Sequence, residues 1–239
     1  MGRWARENDF DPLVKNAVDS VANAVAEWPF PRDQAFAVIK AIAATESGFN
    51  PQAVRGEAHL ADASHGLMQI LYSTATAAGY PGKPPTDADR INLTGLYAPA
   101  TNLYIAAKHF RNLLVRTGGD LESAWSAYNG GFSPRTSWPY SGFGNRTTAQ
   151  SGAGHTVCLA RDAAGKCIRT FVPKAGEFAN QPYIDKVKSA YDYFFRNPPS
   201  AGNGLTKEIE KGSHTVNQPL VLALLGALGG LLFLRRKRG

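Results

Sequence analysis

The chain has no internal repeat, which excludes a solenoid or a blade array. Cysteine is scarce: Cys158 and Cys167 are the two in 239 residues, and with no histidine in register they do not make a zinc site. A basic face is missing as well. Four of the seven net positive charges belong to Arg235, Arg236, Lys237 and Arg238, and the three that remain are too few and too scattered for nucleic acid. A modest positive excess suits an anionic polymer without selecting one. His59, Asp62 and His65 sit three apart, but no clear helix aligns them, so no metal site is expected there, and no cofactor. Met1-Gly2-Arg3-Trp4-Ala5-Arg6 contains no apolar export segment, and Arg6 stands where myristoylation needs Ser or Thr. What the chain does hold is 44% hydrophobic residues, enough for one sizeable core with appendages.

The apolar residues fall into helical stripes. Residues 11–26 carry Leu13, Val14, Ala17, Val18, Val21, Ala22 and Val25 on one face, and Trp28-Pro29-Phe30-Pro31 breaks that helix. In the next helix Ala35, Ile39, Ile42 and Glu46 share a face at spacings of four, three and four. Ser47-Gly48 and Asn50-Pro51 end the helix just after the carboxylate. A carboxyl group on an inward face loses hydration, and the negative end of the helix dipole opposes its charge as well. Both raise its pKa, as a general acid working near neutral pH requires. On its own, a Glu at a helix end more often swings out to solvent.

Two further segments bear on that choice. Ser64-His65-Gly66-Leu67-Met68-Gln69-Ile70 is an apolar run with one amide, entered through glycine. Ala127-Tyr128-Asn129-Gly130-Gly131 closes a helix that starts at Asp120 and has Leu121, Ala124, Trp125 and Tyr128 as its stripe. Residues 51–65 read as loop, with a short helix near 74–78 and a helix over about 100–117 carrying Leu103, Ala107, Phe110 and Leu114 inward. The last domain helix spans about 182–195 with Ile184, Val187, Tyr191 and Phe194 inward.

In this order, Glu46-Ser47, Gly66-Leu67-Met68-Gln69 and Ala127-Tyr128-Asn129-Gly130-Gly131 resemble the three signature motifs of SLT-type lytic transglycosylases. Pro99 and Asn102 resemble the family's proline-asparagine helix start, and Tyr183-Ile184-Asp185-Lys186-Val187 its tyrosine-led final helix. The resemblance covers roughly residues 32–196, and Ala106 departs from it where the family often has glycine. It implies a mainly α, lysozyme-like fold at residues 1–196, with peptidoglycan glycan strands as the partner. Glu46 is then the catalytic acid acting on the bond between N-acetylmuramic acid and N-acetylglucosamine, with a 1,6-anhydro product. Ser47 would orient Glu46 or the substrate acetamido group, Met68 and Gln69 would line the groove, and Tyr128, Asn129 and Tyr183 would bind substrate near the reacting ring. Glu57 and Asp62 lie where a second carboxylate would make a hydrolysing, goose-type-like lysozyme. A non-catalytic wall-binding virion module is the remaining alternative.

Residues 132–176 read as an insertion. His155-Thr156-Val157 and Ile168-Arg169-Thr170-Phe171-Val172 are rich in β-branched residues and suggest a small β-hairpin. Cys158 and Cys167 are its disulfide candidates, with two reduced thiols as the alternative. Phe132, Trp138, Tyr140 and Phe143 would either line a sugar groove or pack their own loop.

Residues 197–217 read as a linker by composition, 218–234 as a transmembrane helix and 235–239 as a basic tail. The sixteen residues from Pro219 to Leu234 carry no charge. Their helix would be about 24 Å long against a hydrocarbon core of about 30 Å, a gap that arginine snorkelling and local thinning cover. Gly226 and Gly230 form a small-xxx-small face suited to helix pairing. Basic residues stay cytoplasmic, so this anchor places its enzyme domain outside, although no export segment opens the chain. Virion-associated murein transglycosylases of membrane-containing phages are similar in this arrangement, and a virion membrane is the expected location. The alternative is a bacterial inner-membrane protein with its enzyme domain in the periplasm.

Overall fold

The computed structural model describes residues 4–57, 60–131, 145–147, 153–154, 156–162, 164 and 166–199. The compact unit runs to Pro199, and Ser200–Gly239 lie outside the described residues, with them the linker from residue 200 onward, the membrane segment, Gly226, Gly230 and the basic tail. Phe132, Trp138, Tyr140 and Phe143 also lie outside them. No helix among the described residues is long and apolar enough to cross a membrane.

The fold is mainly helical. Helix α1 (Asp11–Ala24) opens with Pro12 in its first turn, and α2 (Arg32–Glu46) follows Pro31, whose fixed φ suits a helix entry. Helix α2 is buried from Ala35 through Ala44, on all sides rather than along one stripe. Its alanines let α1 and α7 (Gln181–Arg196) approach closely, so α2 becomes the central rod of the core. Lys40 is buried with it. Its ammonium lies 2.6 Å from Asp11 Oδ1 and 3.0 Å from Asn8 Oδ1, and 4.8 Å from the Phe194 ring centroid. Carboxylate, amide and ring replace the lost water around the charge, as a buried cation requires.

Residues 51–65, expected as loop, contain β1 (Val54–Glu57) and β2 (Asp62–His65), which pair antiparallel with Val54 opposite His65 and Glu57 opposite Asp62. Strand β3 (Ile70–Leu71) completes a three-stranded sheet in the order β1-β2-β3. Most of β1 is exposed and two of its four residues are charged, so neither hydrophobic alternation nor a continuous apolar run marks it. Helix α3 (Tyr72–Ala77) begins two residues before its expected start. Helix α4 (Asp87–Asn92), unforeseen, starts with a capping box in which Thr86 and Asp89 satisfy each other's backbone N–H.

Helix α5 (Pro99–Arg116) buries Leu103, Ala107, Phe110 and Leu114 as the stripe predicts, and Ala106 packs fully buried where a glycine was the common residue. Helix α6 (Leu121–Gly130) is capped by the Asp120 carboxylate, which accepts from Ser123 N, and ends at Gly131 with φ +79°. Between α6 and α7 the insertion forms the hairpin β4 (Val157–Arg161) and β5 (Cys167–Phe171), joined by a Cys158–Cys167 disulfide. Its base is tied to the helical body. Arg146 pairs with Glu122 of α6 and stacks on Phe178, while Lys188 of α7 reaches the same Glu122 at 2.7 Å.

Candidate active site

Glu46 is the last residue of α2 and is half-buried. Its Oε1 accepts a 2.7 Å hydrogen bond from the Tyr183 hydroxyl in the first turn of α7. Burial pushes its pKa up from 4.5 to about 7. The Tyr183 hydrogen bond and the Arg55 charge oppose that rise without cancelling it, and the Glu57 charge adds to it. Near neutral pH the carboxyl is therefore about half protonated. Burial and the charge of Glu46 push both Tyr128 and Tyr183 well above 10, so both phenols stay neutral.

The second motif is a turn clamped from three directions. Asn102 of α5 accepts from Met68 N at 2.8 Å and donates to the His65 and Leu96 carbonyls at 2.9 Å each. Gly66, at φ +72°, lies under that amide; a Cβ there would sit 2.6 Å from Asn102 Nδ2, so only glycine fits. Tyr128 of α6 donates its hydroxyl to Met68 O at 2.8 Å. Ser47 donates to Leu67 O at 2.8 Å, which ties the end of α2 to the same turn.

Several expected roles change accordingly. Met68 does not line the groove with its side chain, which is fully buried in the core; it shapes the turn through its backbone. Gln69, at φ +44°, spends its amide N–H groups on Ala53 O and Gly66 O, so its amide oxygen is the atom left for a ligand among the described residues. The Ser47 hydroxyl donates to the Leu67 and Ala43 carbonyls, and among the described residues no hydrogen bond joins it to Glu46. Tyr128 likewise has its proton on Met68 O, close enough to Glu46 to feel its charge. Tyr183 contacts the Glu46 carboxyl itself, where a substrate contact was expected of it. Asn129 accepts at Oδ1 from Asn180, whose buried amide also bonds Ser126 on both sides and so locks α6 to the start of α7. Asn180 was missed; its one sequence signal is its place just before the Gln181-Pro182 helix start.

Of the two spare carboxylates, Asp62 is excluded. Its Oδ2 accepts from Ser73 N and Oγ and its Oδ1 from Ala63 N, so it caps α3. Arg55 and Glu57 alternate onto one face of β1 and both act electrostatically on Glu46. They also pair with each other at 3.3 Å. His65 bonds Tyr97 through Nδ1 at 2.8 Å, and His59 lies outside the described residues, so the spaced trio is not drawn together as ligands.

Residues 32–147 match the family model described as the transglycosylase SLT domain. They belong to that family. SLT transglycosylases are lyases of the peptidoglycan glycosidic bond, so the chain is a lytic transglycosylase acting on peptidoglycan. The non-catalytic alternative gives way to that assignment. No curated protein and no solved structure matches the chain. The SLT match ends at residue 147, yet the hydroxyl that bonds Glu46 comes from Tyr183 of α7, beyond the matched span.

Proposed function

We propose that Glu46 is the general acid that cleaves the β-1,4 bond between N-acetylmuramic acid and N-acetylglucosamine, releasing a 1,6-anhydro product. The supporting observation is one half-buried carboxyl with a pKa of about 7, hydrogen-bonded by Tyr183. Glu46 gives its proton to the leaving glycosidic oxygen as the C1–O bond breaks, and the substrate's acetamido oxygen closes onto C1. The C6 hydroxyl then displaces the acetamido oxygen from C1 and returns its proton to the Glu46 carboxylate. No water is consumed. Tyr183 stabilises the carboxylate that exists between the two steps. The Gln69 amide oxygen, Tyr128 and Asn129 border the sugar, while Ser47 and Met68 hold the turn beneath it.

Purified peptidoglycan digested by the full chain should yield fragments lighter by one water than hydrolysed ones, read by mass spectrometry. Glu46→Gln should abolish lysis, and retained activity would overturn the acid assignment. A hydrolytic outcome is the second reading, favoured by the reach of the Glu57 charge to Glu46. It predicts products carrying the added water and dependence on Glu57.

The uncharged run Pro219–Leu234 ahead of Arg235–Arg238 supports a membrane anchor for the lytic domain, with Gly226 and Gly230 as a helix-pairing face. A virion membrane is the location proposed, from which the enzyme opens the wall locally as a phage enters. Fractionated particles should carry the protein in their membrane. Its absence from that fraction refutes the placement.

A further inference from the structure

His109 lies two helical turns from Asn102 on α5, so both share the face turned toward the Gly66–Gln69 turn. Its ring packs against the site residue Tyr128, with centroids 5.7 Å apart at 49°. The imidazole is half-buried, and among the described residues neither ring nitrogen has a hydrogen-bond partner. Burial first, and then the Arg116 charge, bring its pKa down to about 4, so the ring is neutral at physiological pH. A neutral imidazole offers one N–H donor and one acceptor. A half-buried ring nitrogen with no partner among the described residues, packed against Tyr128, is suited to a ligand. Sugar hydroxyls and acetamido groups also donate and accept at once.

We propose that His109 is a substrate-binding residue of the cleft, hydrogen-bonding a hydroxyl or acetamido group of an N-acetylated sugar ring seated against Tyr128. The proposal rests on the reading of peptidoglycan glycan as the substrate. The full chain carrying Glu46→Gln, which binds without cleaving, is titrated with peptidoglycan glycan strands stripped of their peptides. Adding His109→Phe keeps the ring and removes both nitrogens; the Kd should rise about fivefold, the worth of one neutral hydrogen bond. Adding His109→Gln instead should restore most of the affinity. In the active chain His109→Phe should raise KM by a similar factor and leave kcat nearly unchanged. Unchanged affinity in His109→Phe overturns the proposal. So does an equal loss in His109→Phe and His109→Gln accompanied by a fall in Tm, which marks a packing role, or no binding by the chain with His109 intact. If the wild type releases no fragments from peptidoglycan, the catalytic reading fails on that assay, while the titration still judges His109.

Discussion

Replacing Glu46 with Gln should make the protein more stable at alkaline pH and leave it unchanged at acid pH. The carboxyl titrates at 4.5 when unfolded and at about 7 in the fold, because burial penalises its charged form. The folded state therefore holds the proton more tightly. Between pH 4.5 and 7 it binds more protons than the unfolded state, so stability falls as pH rises through that window and levels off above it. At about 1.4 kcal/mol per pH unit, the ionised carboxylate costs the fold about 3 kcal/mol above pH 7. Glutamine has the size of the protonated acid and still accepts the Tyr183 hydrogen bond, but it never ionises. Urea unfolding at pH 4 should give superimposable curves for the two proteins. At pH 8.5 the variant should be more stable by about 3 kcal/mol, with a Tm higher by roughly 6–12 °C. Equal stability at pH 8.5 would refute the reasoning, since it would mean that the folded carboxylate keeps its hydration.

Tyr183→Phe removes the hydrogen bond that favours the Glu46 carboxylate, so the alkaline limb of the kcat profile should move up by about one pH unit; an unmoved limb would count against the contact. Asn102→Ala leaves Met68 N and two carbonyls without their buried partner and should cost about 2–4 kcal/mol in urea unfolding. It should also lower kcat, because the turn that Tyr128 and Ser47 grip loosens; a loss of stability alone would mean that the turn's position does not matter to the chemistry.

Helical stripes were readable wherever one face alone is buried, as in α5 and α7, because side-chain period and burial then coincide. Helix α2 exceeded its stripe because its alanines are weakly hydrophobic taken singly and become core through the helices packed around them. Lys40 is the clearest case. Nothing local marks it as buried, and its partners Asn8 and Asp11 come from a segment that only the folded chain brings near. Strands β1 and β2 escaped notice because pairing, not composition, holds them; Gly56 and the charged Arg55 and Glu57 are poor strand formers. The site divides in the same way. Glu46 at the end of a buried helix, and Tyr128 before a glycine stop, announced themselves through periodicity and termination. The hydrogen bonds that set their chemistry did not, since Tyr183 is 137 positions from Glu46 and the Met68 carbonyl 60 from Tyr128.

That distance makes Glu46 depend on how α7 is held across the insertion between α6 and α7. The proton affinity of Glu46 depends on where α7 places Tyr183, so anything that shifts α7 against α6 and α2 would retune the site. The chain fixes that placement at the two ends of the gap. Asn180 joins Ser126 and Asn129 of α6 to the residue before α7, three positions ahead of Tyr183. Glu122 holds Arg146 from the insertion and Lys188 from α7 on one carboxylate. The exposed ion pairs add little stability by themselves, whereas the buried amide network costs several hydrogen bonds to break. Asn180 is thus the residue that holds the start of α7, and with it Tyr183, against α6 across the insertion.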